Sequence, residues 1–137
     1  VASASGVARR AYVLADSADG PPEVLLLGTG SEVALCLGAR DELARAGIRA
    51  RVVSMPSWEL FEDQPQDYRD EVLPPRVVAR VSVELAGTLG WSQYVGPSGV
   101  SLGMKTFGAS APLKQLQQKF GFTSERVAAA ARQVLAQ

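Results

Sequence analysis

The sequence predicts a three-layer α/β/α sandwich, and three observations carry that prediction. Residues 24–27 (VLLL) are continuously apolar rather than alternating, which fits a strand buried on both faces, as in a parallel sheet. Residues 32–46 then carry apolar side chains at helical spacing, and residues 50–54 return as a second β-like run, which together make a βαβ unit. Toward the end, Val127, Ala130, Ala131, Val134 and Leu135 form one stripe of a last amphipathic helix. Strands alternating with helices are the pattern of layered α/β domains.

Taken in order, residues 1–10 are small and polar and read as a linker or frayed terminus, so that a single domain is expected over 11–137. Residues 12–15 are a short apolar run closed by the turn-rich 16–22. After the strand at 24–27 comes Gly28-Thr29-Gly30-Ser31, with Thr29 and Glu32 spaced as a capping box and Ser31 as a competing N-cap. Gly47 supplies a left-handed residue beyond the helix end, and Ile48 the apolar contact that follows it. Short helical turns are expected at 58–62 and 66–72, ended by Pro74-Pro75. Residues 76–83 are valine-rich and read as the next strand, 85–95 as a helix weakened by Gly87 and Gly90, and 100–102 as a brief final strand. Ser110 with Pro112 starts a helix that runs to Phe120, and Thr123 or Ser124 caps the last one.

Composition narrows the chemistry. The 137 residues are 47% hydrophobic and 20% charged, ordinary for a globular domain that folds without staples. Lys plus Arg equals Asp plus Glu at 14 each with no basic stripe, which argues against nucleic acid as a partner. No apolar run reaches the roughly 20 residues that span a bilayer, and residues 1–10 have no apolar core of a secretory signal, so a cytoplasmic location is expected. Cys36 has no second cysteine to pair with and sits between Leu35 and Leu37, as a small buried apolar residue does. The sequence contains neither His nor Asn, which excludes Ser-His-Asp and Cys-His triads and every zinc site that needs an imidazole.

Four patterns invite a functional assignment. Gly28-Thr29-Gly30-Ser31 stands at a strand-to-helix turn, where N–H groups and the positive end of a helix attract anions, and where glycine and hydroxyl residues also serve a tight turn and a cap. It fails as a dinucleotide fingerprint, because Val33 falls where the third glycine belongs and no acid follows residues 50–54. Lys105-Thr106 fails as a phosphate loop, because Met104 replaces the second glycine. The acids Glu62, Asp63, Asp67, Asp70 and Glu71 are interleaved with aromatics and prolines and read as a solvated face rather than a metal cluster. Glu84 ends a buried strand, where a carboxylate meets either catalytic water or the N–H groups of a helix start; capping is favoured. Trp58, Trp91, Tyr94 and Phe107 read as core or interface aromatics.

Specific runs also resemble a known family. Residues 28–33 (GTGSEV), 50–57 (ARVVSMPS), 68–74 (YRDEVLP), Val83-Glu84 with Trp91, 94–96 (YVG) and 106–112 (TFGASAP) resemble the C-terminal domain of transketolase, in the same order and over nearly the whole chain. At Leu85-Ala86-Gly87 the sequence departs from the family's usual Ala-Gly directly after the glutamate. The resemblance implies a mixed five-stranded sheet in the order 1-3-2-4-5 with strand 1 antiparallel, and a crevice beside the ends of strands 2 and 4. Thr29, Gly30, Ser31 and Glu84 would border that crevice as a candidate anion or regulatory site, although an ionised Glu84 would repel an anionic guest.

The same resemblance implies a parent enzyme that moves a two-carbon ketol unit between sugar phosphates with thiamine diphosphate and a divalent metal, held between two upstream domains on different subunits of a homodimer. Those upstream domains are the expected partners. No catalytic, cofactor or metal residue is assigned to this chain, since the Gly-Asp-Gly…Asn diphosphate motif is absent and no Asn is present to complete one. Its expected role is structural, dimer-supporting and regulatory, with no activity alone. Val1 opens the chain without an initiating Met, in keeping with a fragment. A free-standing anion or small-molecule module, or the equivalent domain of a deoxyxylulose phosphate synthase or a pyruvate-type dehydrogenase, are the alternatives; residues 55–57 and 107–112 favour transketolase.

Overall fold

The computed structural model describes residues 12–17, 20–29, 32–55, 61–84, 92–103 and 123–136. Its strands are β1 (Tyr12–Ala15), β2 (Val24–Gly28), β3 (Ala50–Ser54), β4 (Arg80–Glu84) and β5 (Val100–Gly103), joined in one sheet of order β1-β3-β2-β4-β5. β1 runs antiparallel to β3 with an irregularity between Val13 and Ala15, and the remaining three pairs are parallel. This is the order and strand direction that the resemblance implies.

β2 is central, and all five of its residues are buried, as its unbroken apolar run predicts. Successive side chains leave opposite faces of a strand, so the run feeds two cores. Val24 and Leu26 join Val52, Val81 and Val83 beneath α1 (Val33–Arg45) and α4 (Ser124–Leu135). Leu25 and Leu27 join Val53, Met55, Phe61 and Val72 on the other side, against α2 (Gln66–Val72) and α3 (Ser92–Val95). Each buried Leu contributes about 1.5–3 kcal/mol relative to an exposed one, so β2 anchors both layers at once.

The end of α1 is closed by main-chain bonds. Gly47 N donates to Ala44 O at 3.0 Å and Ile48 N to Leu43 O at 2.9 Å, while Gly47 adopts φ 80°. That is the Schellman pattern, whose left-handed residue favours glycine, and Ile48 packs on the core as the sequence predicts. The start of α1 differs from the capping-box expectation. Glu32 occupies the N-cap position in a right-handed helical conformation without a side-chain cap bond, and its N–H donates instead to the Thr29 carbonyl at 3.2 Å. At α4 the Thr123 hydroxyl accepts from Arg126 N at 3.2 Å, so Thr123 rather than Ser124 is the cap. The Ser124 hydroxyl donates to Leu35 O at 3.1 Å and ties α4 to α1.

The fourth strand starts later than its valine-rich sequence suggests. Pro74-Pro75 leads into a turn in which Val77 N donates to Pro74 O at 3.0 Å, and ladder bonding begins only where Leu25 N reaches Ala79 O at 2.9 Å. Proline offers no N–H for a ladder, so the segment turns before it pairs. Of the helix expected over 85–95, the described part is Ser92–Val95. The expected linker at 1–10, the helix from Ser110 to Phe120, and Trp58, Trp91 and Phe107 lie outside the described residues.

Candidate functional site: the crevice at the ends of β2 and β4

From β2 the chain passes through α1 to β3 on one side, then crosses to β4 on the other. Such a reversal of winding opens a crevice at the carboxyl ends of the strands, where open α/β sheets bind their ligands. The last aligned pair of β2 and β4 is Gly28 with Val83, and one step further lie Thr29 and Glu84. Both are half-buried. The register leaves Thr29 and Glu84 next to each other at the ends of their strands, while Gly30 and Ser31 lie outside the described residues.

Close packing shapes this end of the sheet. Gly28 lies against α1, where an added Cβ would stand 3.2 Å from Cys36 Sγ and 3.4 Å from Val33 N. Met55 N donates to Gly28 O at 2.9 Å, which extends the β2–β3 pairing past the strand end and closes one side. Glu84 is not a free carboxylate. On its face of β4, Ser82, 1% exposed, donates from its hydroxyl to Ser101 Oγ at 2.9 Å. No sequence signal marked that pair, because a serine inside a valine-rich strand carries none until its cross-strand partner is known.

Burial pushes the Cys36 thiol up to about 12, with the Glu32 charge adding to it, so the sulfur remains a neutral thiol and a poor nucleophile. No group of three or more His, Cys, Asp or Glu among the described residues could hold a metal. The sequence contains no asparagine to complete the Gly-Asp-Gly…Asn diphosphate motif. The acids at 62–71 are mostly exposed and engaged locally, Glu62 with Arg69 at 3.2 Å and Asp70 with Gln66 at 2.7 Å.

Arg51, Arg80 and Tyr94 serve the scaffold. Arg51 holds both Asp16 oxygens, Nε at 2.9 Å and Nη2 at 3.2 Å, and also donates to Glu71 O at 2.7 Å, linking β3, the end of β1 and α2. Partial burial alone would raise the Asp16 carboxyl, but the Arg51 and Ser17 bonds and the Arg51 charge hold it below its usual value. Arg80 donates from Nε to Val77 O at 2.9 Å, from Nη1 to Tyr94 O at 2.7 Å and from Nη2 to Pro74 O at 2.9 Å, with a longer bond to Leu73 O at 3.4 Å. Its guanidinium thus meets carbonyls at the C-terminal ends of α2 and α3, where the helix dipole favours a cation. Burial lowers the Arg80 pKa. Tyr94 Oη donates to Glu62 Oε1 at 2.9 Å, and burial, with Glu62 second, pushes the phenol up.

The fold and the strand order define a switch-point α/β domain. Comparison with known proteins narrows that class. The model of the "Transketolase-like TK C-terminal domain" family matches residues 11–123, and the chain belongs to that family. It is 50% identical over 122 residues to a transketolase of Geobacillus stearothermophilus, covering 89% of this chain and 18% of the relative. Among solved structures, a transketolase from Leishmania mexicana superposes with a TM-score of 0.87 at 41% identity, over 98% of this chain and 19% of that one. A Pichia stipitis transketolase in complex with sedoheptulose-7-phosphate superposes with a TM-score of 0.86 at 34% identity, with the same coverage. The chain thus spans about a fifth of the length of these relatives.

Proposed function

We propose that this chain is the C-terminal structural domain of a transketolase, in which it supports the homodimer and carries no catalytic group of its own. The observation behind this reading is its alignment: nearly the whole chain matches whole transketolases, but only about a fifth of their length. The parent enzyme would move a two-carbon ketol unit between sugar phosphates, the substrate class seen in the Pichia stipitis complex. Thiamine diphosphate and a divalent metal would be held by the upstream domains, which are this chain's partners in a cytoplasmic enzyme. Calorimetric titration of thiamine diphosphate with magnesium into the 137-residue protein is expected to give no saturable heat; stoichiometric binding would refute the assignment.

The crevice bordered by Thr29, Gly30, Ser31 and Glu84 is proposed as a regulatory anion site. N–H groups at a helix start support it, and the Glu84 carboxylate opposes it unless its own partner offsets the charge. Titrating inorganic phosphate while following amide shifts decides between them. Saturable shifts at residues 29–31 support the site, and their absence eliminates it.

A further inference from the structure

At the end of the sheet opposite the crevice, where β4 begins, Arg80 differs from the other arginines. Of the half-buried arginines among the described residues, Arg40, Arg49, Arg51 and Arg69 each meet a carboxylate, at 3.5, 3.6, 2.9 and 3.2 Å. Arg80 meets none among those residues, and its guanidinium donates instead to the carbonyls of Val77, Tyr94, Pro74 and Leu73. Carbonyl dipoles soften a buried charge without cancelling it. The lowered pKa of Arg80 has the same origin, since burial takes the cation out of water with no anion to offset the loss. A guanidinium has five N–H groups, and these four bonds leave one Nη1 hydrogen without an acceptor among the described residues.

Arg80 lines a hollow of about 200 Å³. The surrounding walls are apolar, from Pro75, Val77, Val78, Val95 and Pro97, and Ser98 brings a hydroxyl. No acid is among the lining residues. Drug-sized ligands occupy roughly 300–1,000 Å³, so this space suits a smaller molecule. The neighbouring hollow of about 450 Å³ is mixed in charge, because Glu23 stands there with Arg49 and Arg76. Apolar walls around one cation without a counter-ion complement a molecule with a single negative charge and a short hydrocarbon body. A phosphate or sulfate would press further charged oxygens against valine and proline, at a desolvation cost.

We propose that the Arg80 hollow binds a small aliphatic monocarboxylate, with its carboxylate on the guanidinium and its alkyl group against Val77, Val78 and Val95. The site lies apart from the crevice and does not depend on the transketolase reading. The test titrates isobutyrate into the 137-residue protein and follows the amides of residues 77–80, Gly96, Ser98 and Gly99, with the Arg80 Nε–H, in proton–nitrogen correlation spectra. Saturable shifts at these groups are expected. Isobutyramide, the neutral isostere, and inorganic phosphate, which lacks the alkyl group, should each bind about tenfold or more weakly. Val78 is 61% exposed, so Val78→Asp should keep at least the wild-type melting temperature while its carboxylate competes at the rim and removes the isobutyrate shifts. Shifts that grow without saturating, that isobutyramide reproduces at equal affinity, or that survive Val78→Asp each overturn the proposal. Phosphate binding as tightly as isobutyrate overturns it too, because the alkyl group then contributes nothing. Should Val78→Asp fail to fold, the comparison of isobutyrate with isobutyramide decides alone.

Discussion

Arg80 shows most clearly how one side chain can organise a loop region. Its planar fork bonds carbonyls from two crossover segments, a geometry that a lysine ammonium cannot reproduce. Arg80→Lys should therefore cost about 1.5–3 kcal/mol in urea denaturation, the range for hydrogen bonds to a charged group. Asp16 gives a pH signature. Its folded pKa is depressed, so its contribution is present above the unfolded carboxyl range and is lost as pH falls through the folded value. The melting-temperature gap between the wild type and Asp16→Asn should hold from pH 7 to about 5 and close in stronger acid; a gap constant to pH 2 would remove Asp16 from the account. Gly99 marks a limit of close approach, since an added Cβ would press on Val95 O and lie 2.7 Å from Arg80 O. Gly99→Ala should destabilise by about 1–3 kcal/mol in the same assay. None of these three roles was legible in the sequence, because each depends on groups brought near by the fold rather than on a local pattern. Cys36 was legible, since its apolar neighbours on a helix already placed it inside.

At the scale of elements, stops were easier to read than starts. The Gly47-Ile48 ending of α1 was visible because only a left-handed residue followed by an apolar one completes that motif. The capping box at its start was legible as a pattern and differs in the structure, where Glu32 turns into the helix and bonds the Thr29 carbonyl through its own N–H. Hydroxyl and acid spacing specifies a cap only when the backbone before the helix is extended, as it is at Thr123, with φ −126° and ψ 163°. Thr123→Ala should accordingly cost about 1 kcal/mol in thermal or chemical unfolding. Unchanged stability would show that packing of α4, not its cap, sets the start of that helix. The late beginning of β4 has the same lesson, because a valine-rich run pairs only where its N–H groups meet a partner.

At the scale of the whole molecule, the layers followed from periodicity, whereas the strand order came from family resemblance. Nothing in the alternation of residues 12–15 or 100–103 says on which side of β2 each strand lies; that depends on long-range contacts which a single sequence does not display. Register sets Thr29 and Glu84 one step beyond the last aligned pair of β2 and β4, and the polar Ser82–Ser101 pair appeared only once β4 and β5 were joined. On the function proposed above, catalysis belongs to parts of a transketolase outside this domain. The most direct measurement is a sensitive coupled assay for ketol transfer between sugar phosphates, run on the purified 137-residue protein with saturating thiamine diphosphate and magnesium. The expected rate is indistinguishable from that without protein. Turnover proportional to the concentration of this chain, in material free of any longer transketolase, would contradict it.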